Sequence, residues 1–189
     1  MRRRYIRHPS PSVPEPRRPL LGAVLAFVWA ARECPGVLRI ALVGSLTTPK
    51  PIPKDADVLV TIKGDMDLTQ LARYGRRLKG TAQNINLGGD IFLADEGGRY
   101  LGRICHYREC HPRVACRAQH CGHRDHLNDD LHILTLSADL IAAPPVELWP
   151  RVVRRLPVPV DTETLLLAVL ERDGVADRPF HPSSRKPTL

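Results

Sequence analysis

Two apolar runs, Val37-Leu38-Arg39-Ile40-Ala41-Leu42-Val43 and Val58-Leu59-Val60-Thr61-Ile62, are short, bounded by turn-forming residues and nearly continuous in hydrophobicity. That pattern belongs to strands buried on both faces, not to amphipathic strands with one wet side. A helix is predicted over residues 20–31, where Leu20, Val24, Phe27, Val28 and Ala31 recur at helical spacing before Cys34-Pro35-Gly36 ends it. A second is predicted over 67–79, with Asp67 as N-cap and Leu68, Leu71, Ala72, Gly75 and Leu78 on one face. Further strands are predicted at 91–93 and 99–104, separated by Glu96-Gly97-Gly98, and at 131–136. A last helix over 162–171 starts behind Asp161 and buries Leu165, Leu166, Val169 and Leu170. The chain therefore reads as α/β (α+β), a mixed sheet flanked by helices.

With 43% apolar and 25% charged residues the composition suits a packed domain and excludes a collagen-like, coiled-coil or wholly disordered chain. The longest apolar run, 20–31, falls short of the roughly 18 residues that span a bilayer, so no membrane partner is expected. Arginines ahead of that run give it the outline of an export signal, but the leading stretch is long and studded with proline. The run also feeds directly into the first strand, so a retained helix and a cytoplasmic protein are expected. The net charge is +8, and Arg2, Arg3, Arg4, Arg7, Arg17 and Arg18 crowd the first 19 residues beside five prolines. Residues 1–19 read as a basic, Pro-rich tail and 173–189 as a second tail, leaving a domain over 20–172.

Gly44-Ser45 closes the first strand, and Asp55-Ala56-Asp57 opens the second. Side chains alternate along a strand, so Asp55 and Asp57 project to one face and repel each other unless a cation lies between them. Magnesium is the natural cation, since it takes oxygen ligands and binds through one or two carboxylates plus substrate phosphates. Gly44 permits close backbone approach to a phosphate and Ser45 offers a hydroxyl. This constellation, strongest over residues 39–62, resembles the signature of the polymerase-β-like nucleotidyltransferase superfamily. The resemblance implies a small α/β core with three metal-binding carboxylates and transfer of a nucleoside monophosphate from a nucleoside triphosphate to a hydroxyl acceptor. It further implies a two-metal magnesium site at Asp55, Asp57 and a third carboxylate. Asp90, opening the strand at 91–93, matches that position best and would help deprotonate the acceptor; Asp95 and Asp130 are the alternatives. Relatives often begin a helix after the Gly-Ser pair, whereas Pro49, Pro51 and Pro53 predict a loop here.

Arg73, Arg76 and Arg77 fall at i, i+3 and i+4, with Lys79 beyond them. Together with Gly44 and Ser45, Arg76, Arg77 and Lys79 are the expected nucleotide-binding residues. Cys105, Cys110, Cys116 and Cys121 lie within 17 residues among five histidines. Soft ligands in a polar loop suit a structural zinc ion in an insertion over about 105–126, with His111, His120 or His123 able to replace one cysteine. The spacings are wider than those of C-x2-C knuckles. Trp149, between prolines, is expected to be a packing anchor.

The sequence thus predicts a Mg-dependent nucleotidyltransferase carrying a zinc-stabilised insertion. RNA, a protein hydroxyl and a small molecule all remain open as acceptors, and the oligomeric state is undetermined. The rival reading is a non-catalytic, zinc-containing nucleic-acid-binding module with a degenerate nucleotidyltransferase site, of the kind used in toxin–antitoxin systems.

Overall fold

A computed structural model describes residues 16–107, 124–129 and 131–173. Strands β1 (Val37–Val43), β2 (Asp55–Ile62), β3 (Gly88–Asp95), β4 (Tyr100–Ile104), β5 (Leu127–Asn128), β6 (Val146–Trp149) and β7 (Val153–Arg154) form one sheet in the order β5-β4-β3-β2-β1-β6-β7. Only β2 and β3 are parallel, joined across the sheet face by helix α2 (Thr69–Gln83). The other neighbours pair antiparallel. The expectation of a mixed sheet with helices holds.

The strand β2 lies at the centre, and its residues alternate between two apolar clusters. Val58, Val60 and Ile62 face the larger core with Leu21, Val24 and Val28 of α1 (Arg17–Ala31), Leu71 and Leu78 of α2, and Leu166, Leu167 and Leu170 of the C-terminal helix. Leu59 faces a smaller cluster with Ala41, Val43, Phe92, Ala94, Tyr100 and Ile141. Burial on both sides explains why the strand reads as a continuous apolar run. The short helix α3 (Ala138–Ala142), capped by Ser137, covers this second face only in part. Arg39 of β1 anchors it by donating to the carbonyls of Ile141 and Ala142.

The C-terminal helix continues from α4 (Val160–Thr162) through a π turn (Glu163–Leu167) to α5 (Ala168–Arg172). The wide turn adds a residue to the repeat, so Leu167 is buried while Leu165 and Val169, expected inside, are only half-buried. Asp161, expected to cap the last helix, lies within its first turn, buried and facing Arg17. Arg17, expected in the flexible tail, opens α1 and is itself only 2% exposed. Its Nε meets Asp161 Oδ2 at 2.5 Å, and its remaining donors reach Thr162 Oγ1 and the carbonyls of Leu46, Thr48 and Lys50. A guanidinium has enough donors to satisfy all of these at once, which is what makes its burial tolerable.

Three more local differences have physical causes. Asp67 Oδ1 accepts from both the amide and the hydroxyl of Thr69, so α2 begins two residues later than expected. The strand expected over 131–136 is absent: Leu131 and Ile133 are exposed, while Leu134 and Leu136 pack on the second cluster as irregular chain. The partner of β4 is Leu127–Asn128 instead. Gly102, at φ +127°, makes this possible, because a Cβ there would collide with the carbonyl of Asn128. Trp149 is half-buried against the main core, in keeping with a packing role.

Breaking one side of the Arg17–Asp161 pair strands the other charge inside the protein. Arg17→Met is expected to lower stability by about 3–5 kcal/mol in urea unfolding, with Arg17→Met/Asp161→Leu recovering part of that loss. A loss below about 1 kcal/mol for the single variant would contradict a structural role for the clasp.

Candidate functional site

The parallel pairing of β2 and β3 places Asp57 directly opposite Asp90 and Asp55 opposite Gly88. Residues paired across a ladder share a face, so all three aspartates project from the face opposite the helices. They lie where β2 and β3 begin and β1 ends, beyond the cover that α3 gives. Val43, the last residue of β1, pairs with Asp57, so the Gly44-Ser45 turn falls against the same carboxylate.

Gly44 begins one 3-10 turn, Gly44–Thr47, and the chain then runs as a loop through the prolines, as expected. Its φ of +70° disfavours any L side chain, and a Cβ there would collide with Asp57 Oδ2. The backbone therefore approaches the carboxylate as closely as only glycine permits. The Ser45 hydroxyl donates to the Asp55 carbonyl at 3.2 Å, tying the turn to the start of β2. Thr47 closes the turn from within by donating to the Gly44 carbonyl.

The electrostatics follow from three carboxylates on adjacent positions. Burial, then the charges of Asp55 and Asp90, push Asp57 up to about 7, with Arg103 pulling the other way. Asp90 Oδ2 accepts from Arg103 Nη1 at 3.0 Å. Its other oxygen, Oδ1, is buried without a hydrogen bond, 3.9 Å from both Lys79 Nζ and His106 Nε2. The Lys79 ammonium is held below its usual range by burial, partly offset by the charges of Asp90 and Asp55.

No protein-family model, curated protein or solved structure matches the chain. The site is therefore characterised by its own geometry.

Of the residues expected to bind nucleotide, Gly44, Ser45 and Lys79 do lie beside the aspartates. Arg76 lines the crevice beside Asp90, but its guanidinium donates to the carbonyls of Cys105 and Tyr107 and meets His126 Nδ1 at 3.1 Å. Arg77 lies 5.9 Å over the Tyr74 ring on the outer side of α2. Arg103 and His106 are the residues the sequence reading missed. Arg103 faces the aspartates because the register of β4 shifts beside Gly102, a change of phase that strict alternation does not reveal.

Among the described residues no three His, Cys, Asp or Glu side chains converge as a ready metal cage. Cys105 is a free, half-buried thiol whose backbone amide donates to the His126 carbonyl. Cys110, Cys116 and Cys121, and with them most of the expected zinc site, lie outside the described residues, as do His111, His120, His123 and Asp130.

The Asp57 carboxyl supplies a test in chelator-treated protein. Between the ordinary carboxylate range and about pH 7 the folded chain retains a proton that the unfolded chain has released. Stability therefore falls as pH rises through that window, and above it the folded state carries the full cost of an ionised Asp57. Asp57→Asn is expected to gain about 1–3 kcal/mol at pH 8 and to flatten the decline between pH 4 and 7. Equal stability of the two proteins at pH 8 would contradict the crowding of these carboxylates.

Proposed function

We propose that the chain is a Mg-dependent nucleotidyltransferase that moves a nucleoside monophosphate from a nucleoside triphosphate to a hydroxyl acceptor. The observation that carries this reading is the register of Asp57 with Asp90 on parallel strands, with Asp55 on the same face and the Gly44 backbone against Asp57. The donor set fits magnesium. All three side chains offer hard oxygens, Asp90 Oδ1 lacks a hydrogen bond, and Asp57 is raised to about 7 first by burial and then by the charges of Asp55 and Asp90. An open set of this kind, rather than a closed cage, suits an ion that completes its shell with water and substrate phosphates.

Asp55, Asp57 and Asp90 would hold the ions, which when bound supply charge neutralisation at the triphosphate and lower the pKa of a coordinated oxygen. The chain itself does the rest. Gly44 lets the backbone turn lie directly against Asp57, and the Ser45 hydroxyl ties that turn to the start of β2. Lys79, with Arg103 behind Asp90, supplies positive charge at the rim. Asp90 takes the proton of the acceptor hydroxyl as the acceptor oxygen forms a bond to the α-phosphorus, and the bond to the β-phosphate oxygen breaks to release pyrophosphate.

With α-labelled nucleoside triphosphates, label is expected to transfer to the protein, to RNA or to a small hydroxyl acceptor. Chelation should abolish that transfer, and Asp55→Ala or Asp57→Ala should lower it at least ~100-fold with the fold intact. No transfer to any of these acceptors, together with no Mg-dependent nucleotide binding by calorimetry, would overturn the reading in favour of a non-catalytic module.

A further inference from the structure

Outside the acidic site, the outer side of α2 forms an open cleft of 630 Å³ with His126, lined among the described residues by Thr69, Gln70, Arg73, Arg76, Arg77 and His126. Three guanidiniums, an imidazole, a hydroxyl and an amide make this a donor-rich surface, and none of these lining side chains is a carboxylate. Arg73 and Arg77 are exposed, and among the described residues neither has a carboxylate partner. Arg77 is steadied by the Tyr74 ring, and Arg76 is fixed by the carbonyls of Cys105 and Tyr107.

We propose that this cleft binds the phosphodiester backbone of a single-stranded nucleic acid. Guanidiniums recognise phosphate oxygens through paired donors, a geometry that a lysine face would not provide. Arg73 and Arg77 are one helical turn apart, about 6 Å along the axis, a separation that lets neighbouring phosphates of an extended strand each meet one guanidinium. Arg76 also lines the narrow crevice that contains Asp90, Lys79 and His106, so the cleft lies next to the acidic site. The site stands on its own charge and shape, independently of the catalytic reading.

The test is fluorescence anisotropy with labelled 12-nucleotide RNA and DNA single strands across a salt series, on the full chain. Two phosphate contacts, at Arg73 and Arg77, predict a log–log salt slope of about −1.4, or about a 7-fold loss of affinity between 50 and 200 mM salt. Arg73→Gln/Arg77→Gln, exposed positions whose loss should leave the melting temperature unchanged, is expected to weaken binding about tenfold at 100 mM salt and bring the slope close to zero. Asp57→Asn should bind the strand as the parent does, which separates this outcome from failure of the nucleotidyltransferase reading. RNA and DNA arms identify the strand's chemistry. The proposal is overturned if the parent protein binds neither strand, or if the Arg73/Arg77 variant binds normally. It is also overturned if loss follows replacement of Arg2, Arg3 and Arg4 instead, or if anionic phospholipid vesicles bind with the same dependence on Arg73 and Arg77.

Discussion

The pairing of β2 with β3 in parallel register puts two carboxylates side by side and a third two residues away. Like charges at that spacing oppose one another, and burial removes the water that would screen them. The surrounding structure answers with positive charge beside Asp90. Arg103 binds the outer oxygen of Asp90, and Lys79 and His106 approach the inner one without hydrogen-bonding to it. On the other side Asp57 faces the bare backbone of Gly44. Burial, followed by the charges of Asp55 and Asp90, raises the Asp57 carboxyl to about 7.

The remainder of the fold holds that end of the sheet in place. The crossover helix α2 both enforces the parallel pairing and contributes Lys79. Arg17 reaches from α1 to Asp161 and to the carbonyls of Leu46, Thr48 and Lys50, so one buried guanidinium joins the N-terminal helix, the C-terminal helix and the chain leaving the Gly44 turn. The network draws on three separate segments of chain, with the Thr162 hydroxyl also donating to the Leu46 carbonyl. Polar atoms thus order the loop whose prolines prevent it from forming a regular helix.

Much of this was legible from local pattern. The bounds of β1 appear directly in the sequence as VLRIALV, and β2 and β3 extend the apolar runs predicted for them. The position of Asp90 beside Asp57 was readable only as a resemblance, because register between strands separated by a helix leaves no local trace. Other features depend on interactions distant in sequence. Arg17 looked like part of a solvated tail, since nothing nearby announces a partner 144 residues away. Arg76 looked like one member of a basic face, yet the end of β4 supplies its acceptors. The strand β6 was masked by its flanking prolines, although Val146 and Leu148 alternate inward with Glu147 and Trp149 as a strand requires. The π turn displaced the expected inward face of the last helix by one residue, a shift that spacing rules assume away.

The central claim is that Asp55, Asp57 and Asp90 form one oxygen-donor site for a divalent cation beside Gly44. The most direct measurement replaces magnesium by paramagnetic Mn2+ and records amide NMR line broadening in the presence of a non-hydrolysable nucleoside triphosphate analogue. The account predicts that Gly44, Ser45, Asp55, Asp57 and Asp90 broaden first and together, at substoichiometric Mn2+. Broadening that instead begins at the exposed carboxylates Glu163 and Glu171, or spreads without preference over the surface, would contradict it.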